Sequence, residues 1–169
     1  MRKEQFAEYI KSPKLHSQVV QWIADSFAGK EDDLCAVTLT FKPSITYHET
    51  LRSKDIGHFL RRLNSRVYGK RFANGKARLK CIPVFENNSS DGVHVHMFLG
   101  RPNDTDRLDR PFEDIVLSEW SKLENAGVKK AQDIRDCFCV EGWAGYITKE
   151  IQSGNMLSKL DVANMHIAV

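Results

Sequence analysis

A chain of 169 residues, 41% hydrophobic and 28% charged, is long enough for one domain with a proper core and too short for two of ordinary size. No apolar run approaches membrane-spanning length, and the start, "MRKEQFAEYIKSPK", lacks the apolar segment of a secretory signal. A cytoplasmic protein with no membrane partner is therefore expected. The net charge is only +3, yet between Leu51 and Lys80 ten Lys and Arg face a single acid, Asp55, so that this stretch carries +9 and the remainder −6. A distribution this lopsided points to a polyanion such as nucleic acid. Its candidate phosphate contacts are Arg61, Arg62, Arg66, Lys70, Arg71, Lys76, Arg78 and Lys80.

In chain order, "EQFAEYI" and "LHSQVVQWIADSFAG" carry apolar residues at helical spacing (Val19, Val20, Ile23, Phe27), with Gly29 as a stop. "LCAVTLTFK", 34 to 42, is rich in β-branched residues and reads as a first core strand. "SKDIGHFLRRLNSRVYG" reads as a helix capped by Ser53, with Ile56, Phe59, Leu60, Leu63 and Val67 as its apolar stripe. Two strands follow, 77 to 86 and 93 to 100, joined by the polar turn "NNSSDG", with Pro83 marking an edge or a bulge.

"RPFEDIVLSEWSKLENAG" is a second amphipathic helix, from near Pro111 to Gly127. "DIRDCFCV", 133 to 140, is a last short strand, and "EGWAGYITKEIQSG" a helix stopping at Gly154. The order βαββαβ, flanked by helices, predicts an α+β fold. We expect a ferredoxin-like split βαβ with an antiparallel sheet and helices on one face, as a single domain with its core over about 34–152.

Four cysteines, Cys35, Cys81, Cys137 and Cys139, fit reduced, mostly buried thiols. On a strand Cys137 and Cys139 would point the same way, and two thiols without a second pair make a poor zinc site.

The chemistry concentrates in "DGVHVHMFLG", 91 to 100. On a strand His94 and His96 share one face while Val93, Val95 and Met97 take the other. Two imidazoles at this spacing either hydrogen-bond on a wet face or hold one metal ion. Glu86 ends the preceding strand, and across a hairpin its carboxylate reaches the same end of the sheet. Two histidines and a carboxylate leave positions open on an ion such as Mg²⁺ or Mn²⁺. Tyr146 and Lys149, three apart on a predicted helix, share a face, where an ammonium favours the phenolate.

These pieces, in this order, resemble the HUH endonucleases, specifically the single-tyrosine replication initiators called Rep proteins. "CAVTLTFK" is similar to their first motif, "HVHMFLG" to the metal-binding second and "YITK" to the Y-x-x-K third, over about Leu34 to Ile151. The resemblance implies metal-dependent nicking and joining of single-stranded DNA at a replication origin, with a hairpin as one form of that substrate. The reaction would start rolling-circle replication of a plasmid or virus. The resemblance further implies Tyr146 as the nucleophile that stays on the 5′ phosphate and Lys149 as its assistant. His94, His96 and Glu86 are then the ligands of Mn²⁺ or Mg²⁺. A eukaryotic virus would place the protein in the host nucleus.

Many Rep proteins carry a helicase with a G-x-x-x-x-G-K-[ST] loop. The chain has no such loop, so a host or separate helicase is an expected partner. Within the same group, a transposase or relaxase is an alternative. A histidine-triad hydrolase would need a third His at Phe98, and an H-x-[ST] phosphoesterase a hydroxyl at Met97 or Phe98. The rival from another class is a non-catalytic module stacking bases on Phe41, Phe85, Phe98 or Phe138, although the usual aromatic signature of such modules is missing.

Overall fold

A computed structural model of the chain describes residues 13–29, 33–42, 49–88, 92–103, 105, 107–151 and 156–167. The expected helix at "EQFAEYI" and the stop at Gly154 lie outside them. Four strands, β1 (Leu34–Thr40), β2 (Cys81–Asn88), β3 (Gly92–Gly100) and β4 (Asp133–Asp136), form one sheet in the order β2-β3-β1-β4. Every neighbouring pair is antiparallel. With helices between β1 and β2 and between β3 and β4, this is the α+β, ferredoxin-like split βαβ expected from the order of elements.

The helices are α1 (Pro13–Phe27), α2 (Glu49–Tyr68), the single-turn α3 (Lys70–Ala73), α4 (Phe112–Ser121), α5 (Val140–Ile147) and the short α6 (Met156–Lys159). Strand alternation separates two cores. Val37, Leu39, Val95, Met97 and Leu99 face α2 and α4, where the whole predicted stripe from Ile56 to Val67 is buried. Trp120 anchors that layer, edge-on to Phe41 and Phe59, with its indole N–H donating to the Thr40 carbonyl.

The expectation of helices on one face is corrected: the second face is covered too. Leu34, Ile82, Val84 and Phe98 pack under Val19, Ile23 and Phe27 of α1 and Val140, Ala144 and Ile147 of α5. Phe98 stacks on Phe27, with ring centroids 5.1 Å apart. Both flanking helices are apolar on one stripe only, so they bury it against the remaining sheet face.

Several element ends also differ from expectation. The second helix starts at Glu49, four residues before Ser53, whose hydroxyl instead donates to Asp161 (2.8 Å). Helix α4 stops at Ser121 rather than Gly127, because Leu123 and Ala126 turn inward and the Gly127 N–H donates to the Thr40 carbonyl. The final strand ends at Asp136, so Cys137 and Cys139 do not point together: the first is buried and the second exposed. The cysteines are free, and burial pushes the Cys35 and Cys81 thiols up to about 12, which keeps them un-ionised.

Pro83 sits on edge strand β2, as expected of a residue lacking an N–H. That outer edge is not bare. Cys81 exchanges backbone hydrogen bonds with His166, and the Asp161 N–H donates to the Pro83 carbonyl. Among the described residues no helix is long and apolar enough to cross a membrane.

Candidate active site

The strand register assembles the site. Glu86 pairs with His94 across β2 and β3, and Thr38 pairs with His96 across β1 and β3, so all four project from the sheet face shared with α1 and α5. His96 is buried. One ring nitrogen, Nδ1, lies 2.9 Å from the Thr38 hydroxyl, and the other, Nε2, lies 2.5 Å from Glu86 Oε2. Burial, only partly opposed by Glu86, holds the His96 pKa below the ordinary imidazole value, so the ring is neutral at pH 7.

Glu86 is contacted from both sides, by His96 and by the Lys149 ammonium at 2.9 Å. Burial alone would raise its pKa, but the hydrogen bonds from Lys149 and His96 outweigh this and hold the carboxyl below its usual range. Burial likewise works against the Lys149 charge, yet Glu86 and then Tyr146 raise its pKa on balance. A carboxylate and an ammonium thus persist together beneath a half-exposed tyrosine.

Tyr146 reaches this cluster because α5 docks through Val140, Ala144 and Ile147. Its N-terminus is capped by Cys139, whose sulfur accepts the Gly142 N–H (3.3 Å). Its C-terminus is closed by buried Thr148, which donates to the Ala144 carbonyl and meets His16 of α1 at 3.0 Å. The helix ends at Ile147, so Lys149 lies in the following turn and not on a continuing helical face. The turn nonetheless brings the pair together, with Nζ 4.0 Å from the Tyr146 ring centroid. The Tyr146 ring stacks on Trp143 (5.2 Å, 15°) and stands edge-on to His96 (5.4 Å, 78°). Trp143 is held by its indole N–H, which donates to the Met97 carbonyl.

The donor types suit a hard divalent ion: one carboxylate and a neutral imidazole already meet. His94 is half-buried, its ring centroid 6.2 Å from that of His96. Among the described residues, no three His, Cys, Asp or Glu side chains stand together as a closed metal-holding group. His94 is the third donor by register alone.

The basic residues are not brought to this site. Arg61, Arg62 and Arg66 lie on α2, across the sheet from His96. Arg62 is engaged by buried Glu119 (2.9 Å) and Arg66 by Asp109 (2.5 Å). Arg71, Arg78 and Lys80, with Tyr68 and Arg101, line a cavity of about 320 Å³ at the Leu34–Gly100 end of the sheet. Extended chain between Lys80 and Glu86 spans roughly 20 Å. Lys70 and Lys76 are exposed beside α3. Of the other tyrosines, Tyr68 lines this remote cavity, while Tyr9 and Tyr47 lie outside the described residues.

The sequence reading missed Thr38 and Trp143. A threonine within "LCAVTLT" is unexceptional, and its role appears only once β1 lies beside β3. The base-stacking rival loses most of its surface: Phe41, Phe85 and Phe98 are core, and only Phe138 is exposed.

The family model of the replication-associated protein ORF2 matches residues 34–155, from the first strand to just beyond α5, and the chain belongs to that family. Membership in this Rep-like group gives it a role in replication initiation. No curated protein and no solved structure matches the chain.

Proposed function

We propose that the chain is an HUH-type strand transferase that nicks single-stranded DNA at a replication origin and rejoins it through a phosphotyrosine on Tyr146. The observation that carries this reading is the Tyr146 ring packed over the Glu86–His96–Lys149 cluster on one sheet face. The Tyr146 oxygen attacks the scissile phosphorus, the bond to the 3′ oxygen breaks and the phosphate stays on the tyrosine. The phenol loses one proton and the departing 3′ oxygen gains one, so the exchange is balanced. The reverse reaction reseals the strand without an energy source, since one phosphodiester replaces another.

Lys149 supplies positive charge beside the attacking oxygen and the phosphate, where water is partly excluded and the charge is worth more. Trp143 holds the Tyr146 ring in place by stacking, and Thr38 holds His96. A divalent ion, Mg²⁺ or Mn²⁺, held by Glu86, His94 and His96, would draw charge from a non-bridging phosphate oxygen. Arg71, Arg78 and Lys80 are the best-placed residues to touch DNA backbone beyond the cut, such as a hairpin stem, and strand separation falls to another helicase.

The test is covalent. A randomised single-stranded oligonucleotide library incubated with protein and Mn²⁺ is expected to yield an adduct on a denaturing gel that Tyr146→Phe abolishes. Binding with no adduct under either metal would sink the reading. An adduct that survives Tyr146→Phe would move the nucleophile to another tyrosine.

A further inference from the structure

Phe138 is the most solvent-exposed large apolar side chain among the described residues, 87% accessible. Its exposure is built into the backbone on both sides. The Cys137 N–H donates to the Leu34 carbonyl while the Cys137 side chain is buried, and Cys139 is committed to capping α5. The residue between two such anchors has little choice but to project outward.

It does not project alone. An open groove of about 520 Å³ is lined by Phe138, Trp143 and Tyr146, with Ala36, Thr38 and Gly142 among its other walls. Charged side chains line it as well, but they are paired: Asp133 with Arg135 (2.6 Å) and Asp136 with Arg101 (2.6 Å). The groove therefore offers aromatic and small apolar surface without a clamp for phosphate. Flat π faces beside neutralised charge suit an uncharged planar ring, and unpaired nucleobases are stacked in this way on protein aromatics.

We infer that Phe138 forms a stacking subsite for one unpaired base flanking the phosphate presented to Tyr146. The inference rests on the nicking reading for its position next to the reacting bond. Phe138 acts here as a positioning residue: a base held on its ring fixes where the adjoining phosphate falls against the tyrosine. Because a π face is common to all bases, the subsite orders the strand and contributes little sequence preference.

The test uses full-length protein and fluorescein-labelled oligo(dT) about 12 nucleotides long, a length one small domain covers. Phe138→Ala is expected to raise the Kd about tenfold, within the range of one stacked base, while Phe138→Trp stays near wild type. The salt dependence of binding should be unchanged, since every phosphate keeps its basic partners. An abasic backbone of the same length should bind wild type and Phe138→Ala equally. Unchanged oligo(dT) affinity in Phe138→Ala, or an equal loss with the abasic strand, would overturn the subsite. The adduct assay is separate: oligo(dT) binding that depends on Phe138 in a protein forming no Tyr146 adduct keeps the subsite and removes the nuclease.

Discussion

Thr38 has more leverage over the site than its size implies. A hydroxyl can donate or accept, so the His96 ring stays fixed whichever nitrogen carries the proton. When Nε2–H donates to Glu86, Nδ1 accepts from Thr38; if Nε2 is to offer its lone pair to a cation, Nδ1–H donates to Thr38 instead. Replacement by valine keeps the shape and removes both options. Thr38→Val is expected to weaken Mn²⁺ binding by about tenfold or more, measured by titration calorimetry. Unchanged affinity would reduce Thr38 to a packing residue. Lys149 acts in the opposite direction on the same carboxylate. Removing its ammonium relieves competition for Glu86, so Lys149→Met should bind Mn²⁺ more tightly yet form the Tyr146 adduct about a hundredfold more slowly. Weaker metal binding in that variant would show that the lysine organises Glu86 rather than competing for it.

Among the elements, the apolar stripes of α1 and α2 were legible from spacing, since a helix must turn its hydrophobic residues one way whatever it meets. The ends were not, because distant partners decide them. Ser53 carries a capping side chain, but Asp161, more than a hundred residues later, takes its hydroxyl. The stop of α4 depends on β1 in the same way. A Cβ at Gly127 would lie 2.3 Å from the Thr40 hydroxyl and 2.7 Å from its carbonyl oxygen, so only glycine lets the chain pass. Gly127→Ala is expected to cost about 1–3 kcal/mol in urea unfolding, with an unchanged slope. A loss within a few tenths of a kcal/mol would mean that this junction relaxes freely. The last helix is another instance. Its sequence continues in helical fashion past Ile147, but the turn at Thr148 and Lys149 is what brings the ammonium back over Tyr146 and onto Glu86.

Taken as a whole, the molecule divides its positive charge. The +9 segment reads as one basic stretch, yet folding splits it between α2, with Arg62 and Arg66 already paired, and the cavity around Arg71, Arg78 and Lys80. Charge reversal in the two groups should therefore give different results. Arg71→Glu with Arg78→Glu is expected to weaken hairpin binding and flatten its salt slope by roughly one for each phosphate left without its arginine. Arg62→Glu should instead lower the melting temperature, because it leaves Glu119 buried beside a second carboxylate. An unaltered salt slope in the Arg71–Arg78 variant would remove the cavity from the DNA path.

The sequence by itself determined which residues alternate, which repeat at helical spacing and which carry unusual chemistry. That was enough for the split βαβ order and for the set His94, His96, Glu86, Tyr146 and Lys149, because those properties are local. Only the tertiary structure decided that Glu86 meets His96, that Thr38 supports it, that the basic cavity sits at the far end of the sheet and that Phe138 stands in the open. Each of these depends on strand register and on which face a helix covers, and both are set by contacts between residues far apart in the chain.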